Sequence, residues 1–149
     1  MSDELPALFR LSAGAAGPSV ALFLVRSVDF AIARSGGVPG PLGRSGTAGS
    51  GIAFSSGVLD TGRELGHAFA HELGHYLGLF HPTESRGTVY EGLEDTPVCT
   101  EDQDTDGDGF LSAEECAGAG ADNLMFWSQG GEALSASQIE ILTHAPILR

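Results

Sequence analysis

Apolar residues fall along this chain in short bursts with two different periods. Glu4 to Ser12 (ELPALFRLS) spaces them as a short helix does, and Gly14 to Pro18 breaks the pattern. Val20 to Arg26 is a continuous apolar run containing β-branched residues, which predicts a buried strand. Val28 to Ala33 is expected to extend it. Ser35 to Gly51 is rich in Gly, Pro and Ser and reads as loop, and Ile52 to Ser55 reads as a second short strand. Thr61-x-x-Glu64, with Asp60 before it, is a capping box that opens a helix. That helix runs to about Leu77, where Gly78 offers a stop. A long irregular stretch follows. A second capping box, Ser135-x-x-Gln138, then opens a C-terminal helix that ends near Thr143, before Pro146. There is no internal repeat and no sign of a second domain.

Composition narrows the class. A chain of 149 residues with 42% hydrophobic content can bury a core as one domain. Seven Arg, no Lys and twenty carboxylates give a net charge of -13, which argues against a nucleic-acid partner or an anionic membrane. No apolar run reaches the length of a membrane span. The N-terminus lacks the basic and long apolar regions of a signal peptide, so a chain from an exported parent is expected to be a mature or trimmed form. The charge is concentrated. Between Glu91 and Asp122 stand eleven carboxylates and no Arg, whereas elsewhere seven Arg face nine carboxylates. The two Cys, Cys99 and Cys116, bracket the most acidic part. A pair flanking a loop suggests a disulfide and an oxidising compartment, extracellular or periplasmic; the alternative is two unrelated thiols.

The strongest chemical signal is His71-Glu72-Leu73-Gly74-His75-Tyr76-Leu77-Gly78-Leu79-Phe80-His81, which fits HExxHxxGxxH. His71 and His75 are four apart, so on a helix they project from one face and can grip one Zn²⁺. Glu72 sits beside that face, placed to take a proton from a water that the zinc polarises. Gly78 lets the chain leave the helix sharply, so that His81 can return as third ligand. One coordination position then stays open, as catalysis requires, and neither Cys lies near enough to close the site. The competing reading is helical histidines that are merely packed. His67 is one further turn back, about 6 Å along the axis, and is read as lining the cleft, supporting a ligand or simply packing. His144 is expected at the surface.

Asp104-Thr105-Asp106-Gly107-Asp108-Gly109-Phe110-Leu111-Ser112-Ala113-Glu114-Glu115 fits the twelve-residue EF-hand loop. Asp104, Asp106 and Asp108 would give carboxylates, Phe110 its carbonyl, Ser112 a direct or water-mediated contact, and Glu115 a bidentate carboxylate. Hard oxygen donors at this spacing suit Ca²⁺. Two long flanking helices are absent, so an isolated loop is expected, and a solvated acidic loop is the alternative.

The zinc motif resembles that of the metzincin metalloproteases, and the resemblance extends to Asp122-Asn123-Leu124-Met125, which is similar to their Met-turn, with Met125 as the turn methionine. Within that class the chain is most similar to the pappalysin family. Asp95-Thr96-Pro97, the Cys99 to Cys116 segment, Asn123-x-Met125 and the Gln138-containing helix follow His81 in that family's order. The similarity covers roughly Arg63 to Leu142. It implies an α+β fold: a small twisted mixed sheet with an active-site helix in an upper subdomain of about residues 1–78, and an irregular lower subdomain of about 79–149 with a Met-turn and a C-terminal helix. Two features depart from the pattern. Trp127 stands where a Tyr often assists at the zinc, and an indole offers no comparable oxygen. Only 70 residues precede His71, short for a full upper subdomain, so a truncated or minimal catalytic domain is expected.

The function expected is a zinc endopeptidase with Glu72 as general base and calcium stabilising the lower subdomain. Its partner is a peptide or protein substrate, with Arg or Lys after the scissile bond favoured by the acidic segment and by the resemblance. The sheet edge near Ile52 to Ser55 would align that substrate by strand addition. Two alternatives remain: a catalytically weak or inactive peptide-binding domain held by zinc and calcium, and a fragment that needs missing segments.

Overall fold

The computed structural model describes residues 4–15, 17, 19–28, 31–41, 43–57, 62–128 and 130–148. Asp60 and Thr61, and with them the first capping box, lie outside the described residues. The described chain is a mixed α+β structure with a three-stranded sheet and three α-helices. It forms two compact units, Met1–Leu79 with Leu142–Arg149, and Phe80–Ile141.

In the first unit, α1 (Glu4–Arg10) runs into a single 3₁₀ turn (Leu11–Gly14). Strands β1 (Leu22–Val25), β2 (Ala33–Ser35) and β3 (Ile52–Ser55) form a sheet in the order β1-β3-β2. β1 pairs parallel to β3 with Leu22 opposite Ile52, and β2 pairs antiparallel with Ala33 opposite Phe54. Three expectations change here. The residues after β1 do not extend it: Val28 bridges to Ala31, and the chain turns back to enter as the separate strand β2. β1 is not buried throughout. As an edge strand it packs Phe23 and Val25 inward and leaves Leu22 and Leu24 exposed. Ile52 to Ser55 is not a sheet edge, because both of its sides are occupied by β1 and β2.

The central position of β3 explains its composition. All four of its residues are buried. Alternation sends Ile52 and Phe54 to one face, against Ala33 and the helical Ala68 and Tyr76, and Ala53 to the other, against Phe9 and Val28. Burying a side chain such as Ile52 or Phe54 contributes about 1.5–3 kcal/mol. The long helix α2 (Gly62–Leu77) packs on the first of these faces. Its end is a complete Schellman motif. The N–H of Gly78 donates to the carbonyl of His75 at 2.9 Å, and the N–H of Leu79 donates to the carbonyl of Gly74 at 2.9 Å. Gly78 has φ 114°, a conformation that costs a side-chain-bearing residue energy. The chain thereby leaves the helix one residue past the stop and reaches His81.

The second unit has little regular structure. Its core is the Cys99–Cys116 disulfide, with Leu111 and Phe126 buried around it and Trp127 packed against it. The remaining helix, α3 (Ala136–Thr143), opens on the predicted capping box. Ser135 N–H donates to Gln138 Oε1 at 3.1 Å, and Gln138 N–H donates to Ser135 Oγ at 3.2 Å. No helix of the described residues is long and apolar enough to cross a membrane.

Candidate metal centre

Helical periodicity places His71 and His75 on one face of α2, with ring centroids 4.8 Å apart and planes nearly perpendicular. With His81 they form a cluster whose ligand atoms all lie within 4.8 Å of one another. His71 is buried, and His81 is partly open. The donors are chemically ready for a metal. Nδ1 of His75 lies 2.7 Å from the carbonyl oxygen of Leu79, so that nitrogen carries the proton and Nε2 is left with its lone pair. The Schellman turn supplies this partner, since it delivers Leu79 back over the last helical turn. Nδ1 of His81 stands 3.1 Å from Glu84 Oε1. Three imidazole nitrogens this close to one another could hold a metal ion.

Glu72 follows His71 on the same helix. Burial pushes its carboxyl up to about 7, opposed by a hydrogen bond from the backbone N–H of Ser35 and by the charge of Arg34. Both opposing groups belong to β2, the antiparallel edge strand. His67 is half-buried and does not join the converging ligands, and His144 is exposed just beyond α3.

In the acidic segment, Asp104, Asp106 and Asp108 converge with their carboxylate oxygens within 4.8 Å of one another. The loop shapes itself around them. Asp104 accepts from the N–H groups of Gly107 at 2.8 Å and Gly109 at 2.9 Å, Asp106 from Asp108 at 3.0 Å, and Asp108 from Phe110 at 2.7 Å. Glu115 stands apart from this trio. Its Oε1 accepts from Thr105 N–H at 2.7 Å and from the Thr105 hydroxyl at 3.0 Å. Its Oε2 accepts from Ser112 N–H at 2.9 Å and from the Ser112 hydroxyl at 2.8 Å. These donors hold its carboxyl down at about 2, with the two Ser112 bonds the largest cause. Phe110 is exposed, its ring near Trp127 and under the guanidinium of Arg86. A cleft of about 460 Å³ lies beside this loop, lined by Arg86, Glu101, Asp104, Asp108 and Phe110 among others.

Met125 is completely buried, and its N–H donates to Asn123 Oδ1 at 2.8 Å. Asn123 in turn donates from Nδ2 to Gln138 Oε1 at 2.8 Å, and Gln138 Nε2 donates to Glu91 at 3.2 Å. The turn is thus tied through two buried amides to a carboxylate ten residues beyond His81. Asp95 was singled out only as part of a motif. It accepts from Ser137 N–H at 2.9 Å and from the Ser135 hydroxyl at 3.1 Å, so it caps α3 from about forty residues away. Sequence reasoning missed the roles of Leu79, Glu91 and Asp95. Only Leu79 left a local trace, in the glycine that precedes it. The indole N–H of Trp127 donates to the carbonyl of Leu111 at 2.8 Å, which commits it to the acidic loop.

Compared with known protein families, with curated proteins and with solved structures, the chain shows no significant match to any.

Proposed function

We propose that this chain is a zinc-dependent endopeptidase of metzincin type, most similar to the pappalysins. The observation that carries the reading is the convergence of His71, His75 and His81 with Glu72 beside them on α2. His71, His75 and His81 would hold a zinc ion there, which would supply Lewis-acid polarisation of the scissile carbonyl and of the attacking water. Glu72 takes the proton from that water and returns it to the leaving amine nitrogen. Its carboxylate is oriented by Ser35 N–H, so the base is held by the sheet's edge strand. An extended substrate adds along β2, whose position replaces the edge role first given to residues 52–55.

Asp104, Asp106 and Asp108 would hold Ca²⁺. The loop spacing assigns the Phe110 carbonyl, Ser112 and Glu115 to complete the set, Glu115 by exchanging its present donors Thr105 and Ser112 for the ion. The ion offsets the crowding of three carboxylates and, with the Cys99–Cys116 disulfide, orders the acidic segment. Eleven carboxylates in that segment favour Arg or Lys after the scissile bond. The disulfide supports an extracellular or periplasmic setting.

The test is digestion of a diverse peptide library read by mass spectrometry, with Glu72→Ala and a zinc chelator as controls. The proposal expects cleavage that both controls abolish, with basic residues enriched after the cut. Cleavage that survives both controls, or none at all from folded, zinc-loaded protein, contradicts it. One observation favours a second reading, a zinc- and calcium-held peptide-binding module without turnover. Trp127, at the position of the resembled family's tyrosine, has its only donor engaged by Leu111. Stoichiometric peptide binding without hydrolysis is the outcome that selects it.

A further inference from the structure

We infer that Glu84 is a positioning residue that orients the third metal histidine. The inference rests on the zinc reading above. Glu84 Oε1 stands 3.1 Å from Nδ1 of His81, three residues earlier. The two atoms are within reach but not aligned as a hydrogen bond. A turn of the imidazole on metal binding brings Nδ1–H onto the carboxylate and presents Nε2 to the metal. His75 already has an aligned acceptor at the corresponding atom, since Leu79 O lies 2.7 Å from its Nδ1. Two of the three ligands therefore have an oxygen behind them.

The pair is not built for stability. The Glu84 side chain is 48% exposed and that of His81 19%, and a polar contact so open to water contributes little to folding. Yet the backbone that carries Glu84 is fixed more firmly than an exposed residue requires. Its N–H donates to Val89 O at 3.0 Å, and its carbonyl accepts from Gly87 N–H at 2.9 Å. Thr83 bridges to Tyr90 across the same hairpin. The buried Thr83 hydroxyl accepts from the N–H of Cys99, a disulfide residue, at 3.0 Å. Ser85 O accepts from Leu111 N–H at 2.8 Å. The segment from Pro82 to Glu91 is thus stitched to the disulfide loop on both sides of Glu84. Only its backbone is held, and the free end of its side chain is the part that meets His81. Such preorganisation lowers the entropy lost when the histidine is locked for binding.

The test measures zinc affinity by competition with a chromophoric chelator, for the wild-type protein and for Glu84→Gln. Glutamine keeps the size of the side chain and removes its charge. The expected result is a dissociation constant raised about tenfold or more. A long-range ¹H–¹⁵N spectrum of the zinc-loaded wild-type protein gives an independent reading, with His81 expected to be protonated on Nδ1. Unchanged affinity in Glu84→Gln, or coordination of His81 through Nδ1, overturns the inference and leaves the zinc site standing. Failure of the wild-type protein to bind zinc removes the zinc reading and this inference together.

Discussion

At the scale of single residues, Glu72 is the proposed general base and Asp95 carries a structural charge. Glu72 is half-buried, adjacent to His71 and held by Ser35 N–H. Replacing it with Gln preserves shape and leaves His71, His75 and His81 in place. Turnover is expected to fall about 10²–10⁴-fold while the zinc content is unchanged, checked by steady-state kinetics alongside metal analysis. Asp95 is exposed, and its carboxyl lies below the ordinary value because Ser137 N–H and the Ser135 hydroxyl donate to it. A carboxyl lowered in the folded state stabilises above its unfolded pKa and loses that contribution as pH falls through the folded value. Thermal midpoints followed from about pH 5 to pH 3 should therefore drop more steeply for the wild type than for Asp95→Asn. Equal slopes would show that Asp95 does not cap α3 in solution.

At the scale of elements, the helices were legible and the sheet was only half so. α2 and α3 carry their signals locally, in the Gly78 stop and in the Ser135–Gln138 box. β2 carries none. Ala33, Arg34 and Ser35 become a strand only by pairing with β3, a partner distant in sequence. The same limit applies to β3 itself. A four-residue apolar run announces burial but not whether it lies at a sheet's centre or edge. Gln138 shows a residue whose local role was legible and whose larger role was not. Its backbone N–H and Oε1 cap α3, and its side chain also joins Asn123 to Glu91 with no exposure to solvent. Gln138→Leu leaves the buried amide of Asn123 without its acceptor. A loss of about 1–3 kcal/mol in urea unfolding is expected, with the environment of Met125 altered in methyl NMR spectra.

At the scale of the whole molecule, charge and covalent chemistry divide the chain as its composition does. The Phe80–Ile141 unit holds the acidic segment and a single Arg, Arg86, and is organised around loops instead of a sheet. The HExxHxxGxxH spacing made the histidine cluster legible, because helix geometry alone places two of its ligands. The aspartate trio was legible for a similar reason, as alternate loop positions point inward. Glu115 was less so, since the donors from Thr105 and Ser112 that hold it come from the loop's own folding. With so little regular structure, this unit depends on its cross-link. Cys99 and Cys116 are separated by 17 residues and fully buried. Replacing both with Ser is expected to cost roughly 3 kcal/mol, read from chemical denaturation monitored at Trp127. A loss near zero would place the stability of the loop elsewhere.

His71, His75 and His81 are proposed to hold one catalytic zinc ion with a position left open. X-ray absorption at the zinc edge, on protein carrying one equivalent of zinc, addresses it directly. Three imidazole nitrogens and one further light atom at about 2.0–2.1 Å are predicted, with one imidazole lost in His81→Ala. A sulfur shell near 2.3 Å, or a spectrum indifferent to His81, would contradict it.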